Sequence, residues 1–370
     1  MSPGTWFVTG YPGFIARRLV AHVAEAEPGA RIYALAHPEK AREARRAAEA
    51  VRNVQVFTGD VADMHLGMDG EAWRAVLDEV TDIFHLAALG ETDAGLPALE
   101  RVNVEGTRNA LDLAQQCERL RRFTHFSTAY VSGDRAGVIS EDELEMGQGF
   151  RNGYEETKFR AEQWVRRAAA KGLPVTVVRP SSVVGPGQGS EAGAFRGEYH
   201  RALLAVTSPL ASGDPLPGEG LAPFHVVPLD YVVRAAFAVS RDPRAVGRTF
   251  HLVDPAPASA RRIHEQVARL ARRPIPRFQL PHPARASLSG VSLPEWLPGA
   301  GRGARGQVNR LAFYRCAETL ELLQGTGIHC PPIERYLDVL LESVRAHHRR
   351  DRGTSQPTDE AEDPLDPRKA

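Results

Sequence analysis

Lysine is scarce in this chain, with four copies in 370 residues, and cysteine is scarcer still at three. Cys117, Cys316 and Cys330 are an odd number without metal-ligand spacing, which argues against a disulfide framework and fits a reducing compartment. Net charge is missing too. Lys+Arg and Asp+Glu both count 46, so no whole-molecule field points to nucleic acid or an anionic membrane as partner. No apolar run approaches the roughly 18 residues that a membrane span needs, and Met1-Ser-Pro-Gly-Thr opens the chain without a basic and apolar leader. The expectation is a cytoplasmic protein with no transmembrane segment.

What the chain does have is enough apolar material, 42% of residues, to bury a full core. Up to about residue 180 short apolar runs alternate with amphipathic segments, the pattern of βαβ units feeding a parallel sheet. Strands are predicted over Trp6–Thr9, Arg31–Leu35, Val54–Phe57, Asp82–Leu86, Arg122–Ser127 and Val175–Val178. Helices are predicted over Ile15–Glu27, Ala41–Val51, Glu71–Glu79, Val104–Leu120 and Tyr154–Lys171. From Gly185 to Gly220 the texture turns to Gly, Pro and Ser, a loop-rich stretch of the kind that shapes a substrate pocket. A strand at Phe224–Val227, a helix Tyr231–Ser240 capped by Asp230, and a strand at Thr249–Val253 then return to the sheet. Leu311–Leu323 and Ile333–Arg345 read as helices, and the polar tail from Arg349 as disordered. The fold class expected is α/β, a doubly wound parallel sheet. Its dinucleotide-binding core covers residues 1–184, a smaller substrate-binding region 185–348, and the tail 349–370.

Two local patterns carry chemistry. The first strand runs into Gly10-Tyr11-Pro12-Gly13-Phe14-Ile15 and a helix begins inside that segment. Gly10 permits a tight turn, a Cβ at Gly13 would meet an approaching pyrophosphate, and the helix start offers free N–H groups and a positive dipole end. In the second pattern Tyr154 and Lys158 stand at i and i+4 on one helix face. A phenol with an ordinary pKa of about 10 needs a neighbouring positive charge before it can shuttle protons near neutrality.

These residues, in this order, resemble the extended short-chain dehydrogenase/reductase superfamily, whose Rossmann turn reads Thr-Gly-x-x-Gly-x-x-Gly/Ala. Gly59-Asp60-Val61 is similar to that family's adenine-contacting segment, and His85-Leu86-Ala87-Ala88 to the one lining the cofactor after the fourth strand. Asn103 is similar to the helix Asn that supports the active site. Arg179-Pro180-Ser181-Ser182-Val183 resembles the nicotinamide-contacting segment. The resemblance implies that Thr128, Tyr154 and Lys158 are catalytic, with Ser127 the alternative hydroxyl beside Thr128 and a further cofactor contact. It implies a nicotinamide dinucleotide held by Gly10 to Ile15, His37, Asp60, Val61, Leu86, Ala87, Ala88, Asn103, Ser127, Tyr154, Lys158 and Pro180 to Val183.

NADP is preferred to NAD because no carboxylate ends the second strand, where Ala36-His37-Pro38 stands, and because His37, Lys40 and Arg42 are near. Phe126-Ser127-Thr128-Ala129-Tyr130-Val131, Val227-Pro228-Leu229-Asp230 and His251-Leu252-Val253-Asp254 resemble the fatty acyl-CoA reductase and thioester-reductase branch, which is male-sterility-type. That implies reduction of an acyl thioester, presented on coenzyme A or a separate carrier, to an aldehyde or alcohol. A nucleotide-sugar epimerase or dehydratase and a hydroxysteroid-type dehydrogenase share the triad and remain alternatives, as does a dinucleotide sensor without catalysis. A homodimer is left open, and no metal is expected.

Overall fold

The computed structural model describes residues 4–90, 95–185, 220–270 and 311–342. Each predicted apolar run forms a strand: β1 (Thr5–Thr9), β2 (Arg31–Ala36), β3 (Val54–Thr58), β4 (Asp82–His85), β5 (Arg122–Phe126) and β7 (Val175–Pro180). With β10 (Thr249–Leu252) they make a seven-stranded sheet in the order β10-β7-β5-β4-β1-β2-β3, every pair parallel. The inner strands read as unbroken apolar runs because helices cover both faces.

On one face α1 (Phe14–Ala26), α2 (Ala41–Ala48) and α7 (Leu229–Arg241) pack Leu19, Val20, Val23, Val232 and Val233 against Trp6, Val8 and Phe84. On the other α3 (Gly70–Glu79), α5 (Gly106–Gln116) and α6 (Gly153–Ala170) pack Val76, Leu111, Leu113 and Val165 against Phe7, Ile83 and Phe123. The chain reverses its direction of travel across the sheet between β1 and β4. In such sheets the crevice at the carboxyl ends of those strands is where ligands bind.

A smaller apolar cluster lies beside this sandwich. It joins Ile139 of β6 (Gly137–Ile139), Val184 of β8 (Ser182–Val184) and Val226 of β9 (Val226–Pro228) to Ile263 of α8 (Ala260–Leu270). Tyr314 of β11 (Ala312–Tyr314) completes it, through a parallel pairing of β11 with β6.

Three expectations are corrected. Leu311–Leu323 is not one helix: Ala312 and Tyr314 are buried while Phe313 is exposed, the alternation of a strand, and only then does α9 (Ala317–Leu323) begin. Asp230 is not the cap of α7, which starts one residue earlier at Leu229 behind Pro228. Its carboxylate instead bonds Arg18 of α1 at 2.8 Å and lies in the first turn, where a negative charge suits the helix dipole. The helix predicted from Val104 is entered earlier, through the helical turn α4 (Leu96–Leu99) and a wide, π-type turn over Glu100–Glu105, and it ends at Gln116. The stretches 186–219, 271–310 and 343–370, which hold most of the Gly185–Gly220 loop and the polar tail, lie outside the described residues.

Candidate active site

Gly10 closes β1 with φ +80, a backbone conformation that L side chains rarely adopt. A Cβ there would stand 2.8 Å from the Ala87 amide nitrogen, so the turn lies directly against the segment that follows β4. At Gly13 an added Cβ would come within 2.7 Å of the Gly10 carbonyl oxygen. The obstacle nearest to that Cβ is therefore the turn itself, before any bound phosphate is considered. Phe14, Ile15 and Ala16 follow as the first residues of α1, whose amides have no partner inside the helix. Tyr11 and Pro12 are buried under the turn, joined by a cis peptide bond.

The other expected cofactor residues line the same edge. Asp60, after β3, accepts from the Ala62 amide at 2.9 Å and from Arg101 at 2.8 Å. His37 is exposed at the end of β2, with its ring 3.8 Å from the Asp60 carboxylate and 3.9 Å from that of Glu39. Val61 is buried beneath α5. Leu86 and Ala87 donate their amides to the Thr9 hydroxyl at 3.1 Å each, and Ala88 is exposed.

Those two amides occupy both lone pairs of the Thr9 oxygen, so its proton must go to Nδ1 of His85, 2.9 Å away. His85 is then the Nε2–H tautomer and donates to Thr107 at 3.1 Å, which in turn donates to the Asn103 carbonyl at 2.6 Å. Burial, then the nearby Lys158 charge, push His85 down to about 3, so this chain runs through a neutral ring. Asn103 is 1% exposed on the wide helical turn. Its side chain accepts from Leu89 N at 2.8 Å and donates to Leu89 O at 3.1 Å and to Thr157 at 3.0 Å. A continuous polar chain thus ties the glycine turn to α6 one residue before Lys158.

Asn152 caps α6 by accepting the Glu155 amide at 2.8 Å, which fixes where the helix starts and hence where Tyr154 and Lys158 stand. Lys158 is 3% exposed and donates to the Phe126 carbonyl at 2.7 Å, at the end of β5. Burial pulls its ammonium down to about 8, with Glu162 acting in the opposite direction. Burial pushes the Tyr154 phenol up to about 12, opposed by a hydrogen bond with Thr128. At neutral pH the site therefore holds a protonated phenol beside a hydroxyl, with a cationic amine on the same helix face.

Ser127 and Thr128 differ in how their hydroxyls are engaged. Ser127 spends its proton on Glu162 at 2.6 Å, whereas Thr128 accepts only a long 3.3 Å contact from Tyr130 N besides its bond to Tyr154 and a 3.5 Å contact to Pro180 O. Beyond Pro180, Ser181 is buried with a hydroxyl that has no partner among the described residues, while Ser182 meets the Tyr130 hydroxyl at 3.0 Å and Val183 is half-buried. The α1 amides left without a partner inside the helix, and the orphaned buried hydroxyl of Ser181 next to the Pro180 that Thr128 contacts, both fit a bound dinucleotide.

Sequence reasoning missed Glu162 and the role of Arg179. Arg179 grips Glu162 with Nε at 3.0 Å and Nη2 at 2.7 Å, both side chains fully buried. One signal was available: Glu162 follows Tyr154 and Lys158 at the same i+4 step, an acid on the inward stripe of a helix.

Against known proteins, the profile of the male sterility protein family matches residues 8–236. A fatty acyl-CoA reductase of Drosophila melanogaster is 25% identical over 278 residues, 64% of this chain and 54% of the relative. The large subunit of L-2-aminoadipate reductase from Eremothecium gossypii is 28% identical over 204 residues, 50% of this chain and 14% of the relative. The chain thus spans about half, or much less, of these curated relatives. Among solved structures, the terminal R domain of the myxalamid PKS-NRPS biosynthetic pathway superposes with a TM-score of 0.75 at 25% identity, covering 96% of this chain and 92% of that one. UDP-glucuronic acid 4-epimerase from Bacillus cereus shares the fold alone, with a TM-score of 0.65 at 17% identity over 93% of this chain and 99% of that one.

Proposed function

Since the chain belongs to the male sterility protein family, we propose that it reduces an acyl thioester to an aldehyde, or onward to an alcohol, with Thr128, Tyr154 and Lys158 as its catalytic residues. The observation that carries this reading is the seating of the Thr128 hydroxyl and the Tyr154 phenol together at the end of β5, with Lys158 beneath them. Similarity to a fatty acyl-CoA reductase, to an aminoadipate reductase and to a biosynthetic R domain supports the thioester class over the nucleotide-sugar alternative, which fold likeness alone supports.

Gly10 to Ile15, Asp60, Leu86 to Ala88 and Pro180 to Val183 would hold the nicotinamide dinucleotide, which supplies the hydride. Tyr154, whose phenol keeps its proton until about 12, is the acid that protonates the carbonyl oxygen. Thr128 donates to the same oxygen as negative charge develops on it, which favours the transition state over the ground state. Lys158, cationic below about 8, places its charge behind both groups. Atoms balance as thioester, reduced dinucleotide and one proton going to aldehyde, thiol and oxidised dinucleotide. The acyl group would arrive on coenzyme A or on a carrier, and the three free cysteines suit a cytoplasmic compartment.

NADP is the preferred cofactor, because β2 ends on Ala36 rather than a carboxylate and the Asp60 side chain is already engaged by Arg101. The test is a panel of acyl-CoAs, aldehydes, nucleotide sugars and hydroxysteroids, each followed with NADPH and NADH and its products identified by mass spectrometry. Aldehyde formed from acyl-CoA supports the reading. Turnover confined to a nucleotide sugar or a secondary alcohol replaces it.

A further inference from the structure

Among the ion pairs of the described residues, Glu162–Arg179 is the most completely buried, at 0% and 1% exposure. Burying two charges costs several kcal/mol each unless their hydrogen bonds are complete, and for stability alone an apolar pair of similar volume would do as well. Here they are complete. Glu162 Oε1 accepts from Arg179 Nη2 at 2.7 Å and from Arg166 Nε at 3.1 Å, and Oε2 accepts from Arg179 Nε at 3.0 Å and from Ser127 at 2.6 Å. Arg179 is itself anchored by the Glu143 carbonyl at 2.8 Å and by longer contacts to the Glu141 carbonyl and the His251 ring. The pair joins α6 to β7 and clasps the end of β5 between them.

Two consequences bear on the triad. Ser127 directly precedes Thr128, so fixing the serine hydroxyl fixes the backbone that presents the threonine. Glu162 is also the anion that favours the charged form of Lys158 one helical turn away. The charged and titratable groups around Lys158 are His85 on β4, His125 on β5, Tyr154, Glu155 and Glu162 on its own helix, and, through Glu162, Arg179 on β7 and Arg166. Both histidines are driven to the neutral state by burial, and of the two buried carboxylates on this helix Glu155 acts on the Tyr154 phenol while Glu162 acts on Lys158.

We infer, on the basis of the triad reading above, that Glu162 is a positioning residue for this reaction: clamped by Arg179, it seats Thr128 through Ser127 and holds an anion one helical turn from Lys158. Substrate and cofactor need not touch it. Its effect passes through the two residues that do.

The experiment compares kcat and the pH dependence of kcat/KM for the full chain and its variants, with an acyl-CoA and NADPH. Glu162→Gln removes the anion and leaves Arg179 positive, so Lys158 loses its proton more readily and the alkaline limb of kcat/KM moves down by about one pH unit. Glu162→Asp keeps the charge on a shorter arm. Its alkaline limb returns towards that of the unaltered protein while kcat stays reduced, because the Ser127 bond is lost. Ser127→Ala keeps the ion pair and the fold, lowers kcat about tenfold and leaves the limb in place, which serves if Glu162→Gln does not fold. Tyr154→Phe and Lys158→Ala are run beside them. If those two abolish turnover while Glu162→Gln or Ser127→Ala matches the unaltered protein in kcat and in its alkaline limb, the inference is overturned and the triad stands. If Tyr154→Phe and Lys158→Ala keep full turnover, the triad reading falls and takes the inference with it.

Discussion

Replacing Asn103 with alanine tests how much the polar chain beneath the site contributes, and the structure supplies the sum. The amide makes three hydrogen bonds, to Leu89 N, Leu89 O and Thr157, at 2.8, 3.1 and 3.0 Å. Each contributes about 1 kcal/mol net, and the partly buried Leu89 peptide groups regain some water, so the loss comes to about 2–4 kcal/mol. Thr157 is not orphaned, since its own proton still reaches the Gly153 carbonyl at 2.7 Å. At about 1.3 °C per kcal/mol for a chain of this size, the Tm of Asn103→Ala should fall by roughly 3–5 °C. Turnover should fall as well, by about tenfold, because Thr157 adjoins Lys158 and Leu89 closes the segment that lines the turn. Differential scanning fluorimetry and steady-state kinetics on the same preparation read both numbers. Asn103→Asp should not rescue, since a carboxylate accepts from Leu89 N but donates to neither of the other partners. A Tm within about 1 °C of the unaltered protein, with turnover intact, would refute the claim that this chain ties the glycine turn to α6.

Tyr154→Phe should retain the thermal shift given by dinucleotide and lose turnover about a hundredfold or more; preserved turnover removes the tyrosine from the mechanism. Gly13→Val should abolish that thermal shift and also lower the Tm of the unliganded protein, because its Cβ would meet Gly10 O at 2.7 Å; an unchanged dinucleotide shift would dismiss the phosphate-turn assignment. NADP should raise the Tm more than NAD at equal concentration, and the reverse ranking overturns the cofactor preference. Acid should destabilise early. Burial pushes His85 and His251 each down to about 3 in the folded chain against an ordinary 6.5. Below about 6.5 the unfolded chain therefore takes up protons the native state refuses, and stability falls steadily as pH drops towards 3. A Tm that stays flat between pH 7 and 4.5 contradicts this.

The central strands were legible because both their faces are covered, so Trp6–Thr9 or Val175–Val178 needs nothing but its own apolar run to declare itself. The glycine turn was legible for a related reason: its spacing is set by backbone geometry at Gly10 and Gly13, not by distant partners. Ala312–Tyr314 was not, since three residues of alternation inside a helix-like stretch are too few to establish a period, and its pairing partner lies far back at Gly137–Ile139. Asp230 misled because an acid before an apolar run looks the same in sequence whether it caps a helix or, as here, occupies its first turn and reaches across to Arg18. Within the site, Tyr154 and Lys158 could be proposed from their i, i+4 spacing, and Thr128 from the family resemblance. A preference between Ser127 and Thr128 could not. It depends on which hydroxyl Glu162 takes, and Glu162 meets Arg179 only once helix and strand have packed.

Whether the substrate is an acyl thioester is decided by counting thiol against cofactor. The protein, an acyl-CoA and NADPH are mixed with a chromogenic thiol reagent, while NADPH loss is followed by fluorescence and aldehyde is trapped and quantified. One thiol released for each NADPH oxidised, with a matching aldehyde, is the predicted result; an alcohol product instead gives one thiol for two NADPH. Cofactor oxidation without thiol release, or turnover that begins only when a nucleotide sugar or secondary alcohol is supplied, would contradict it.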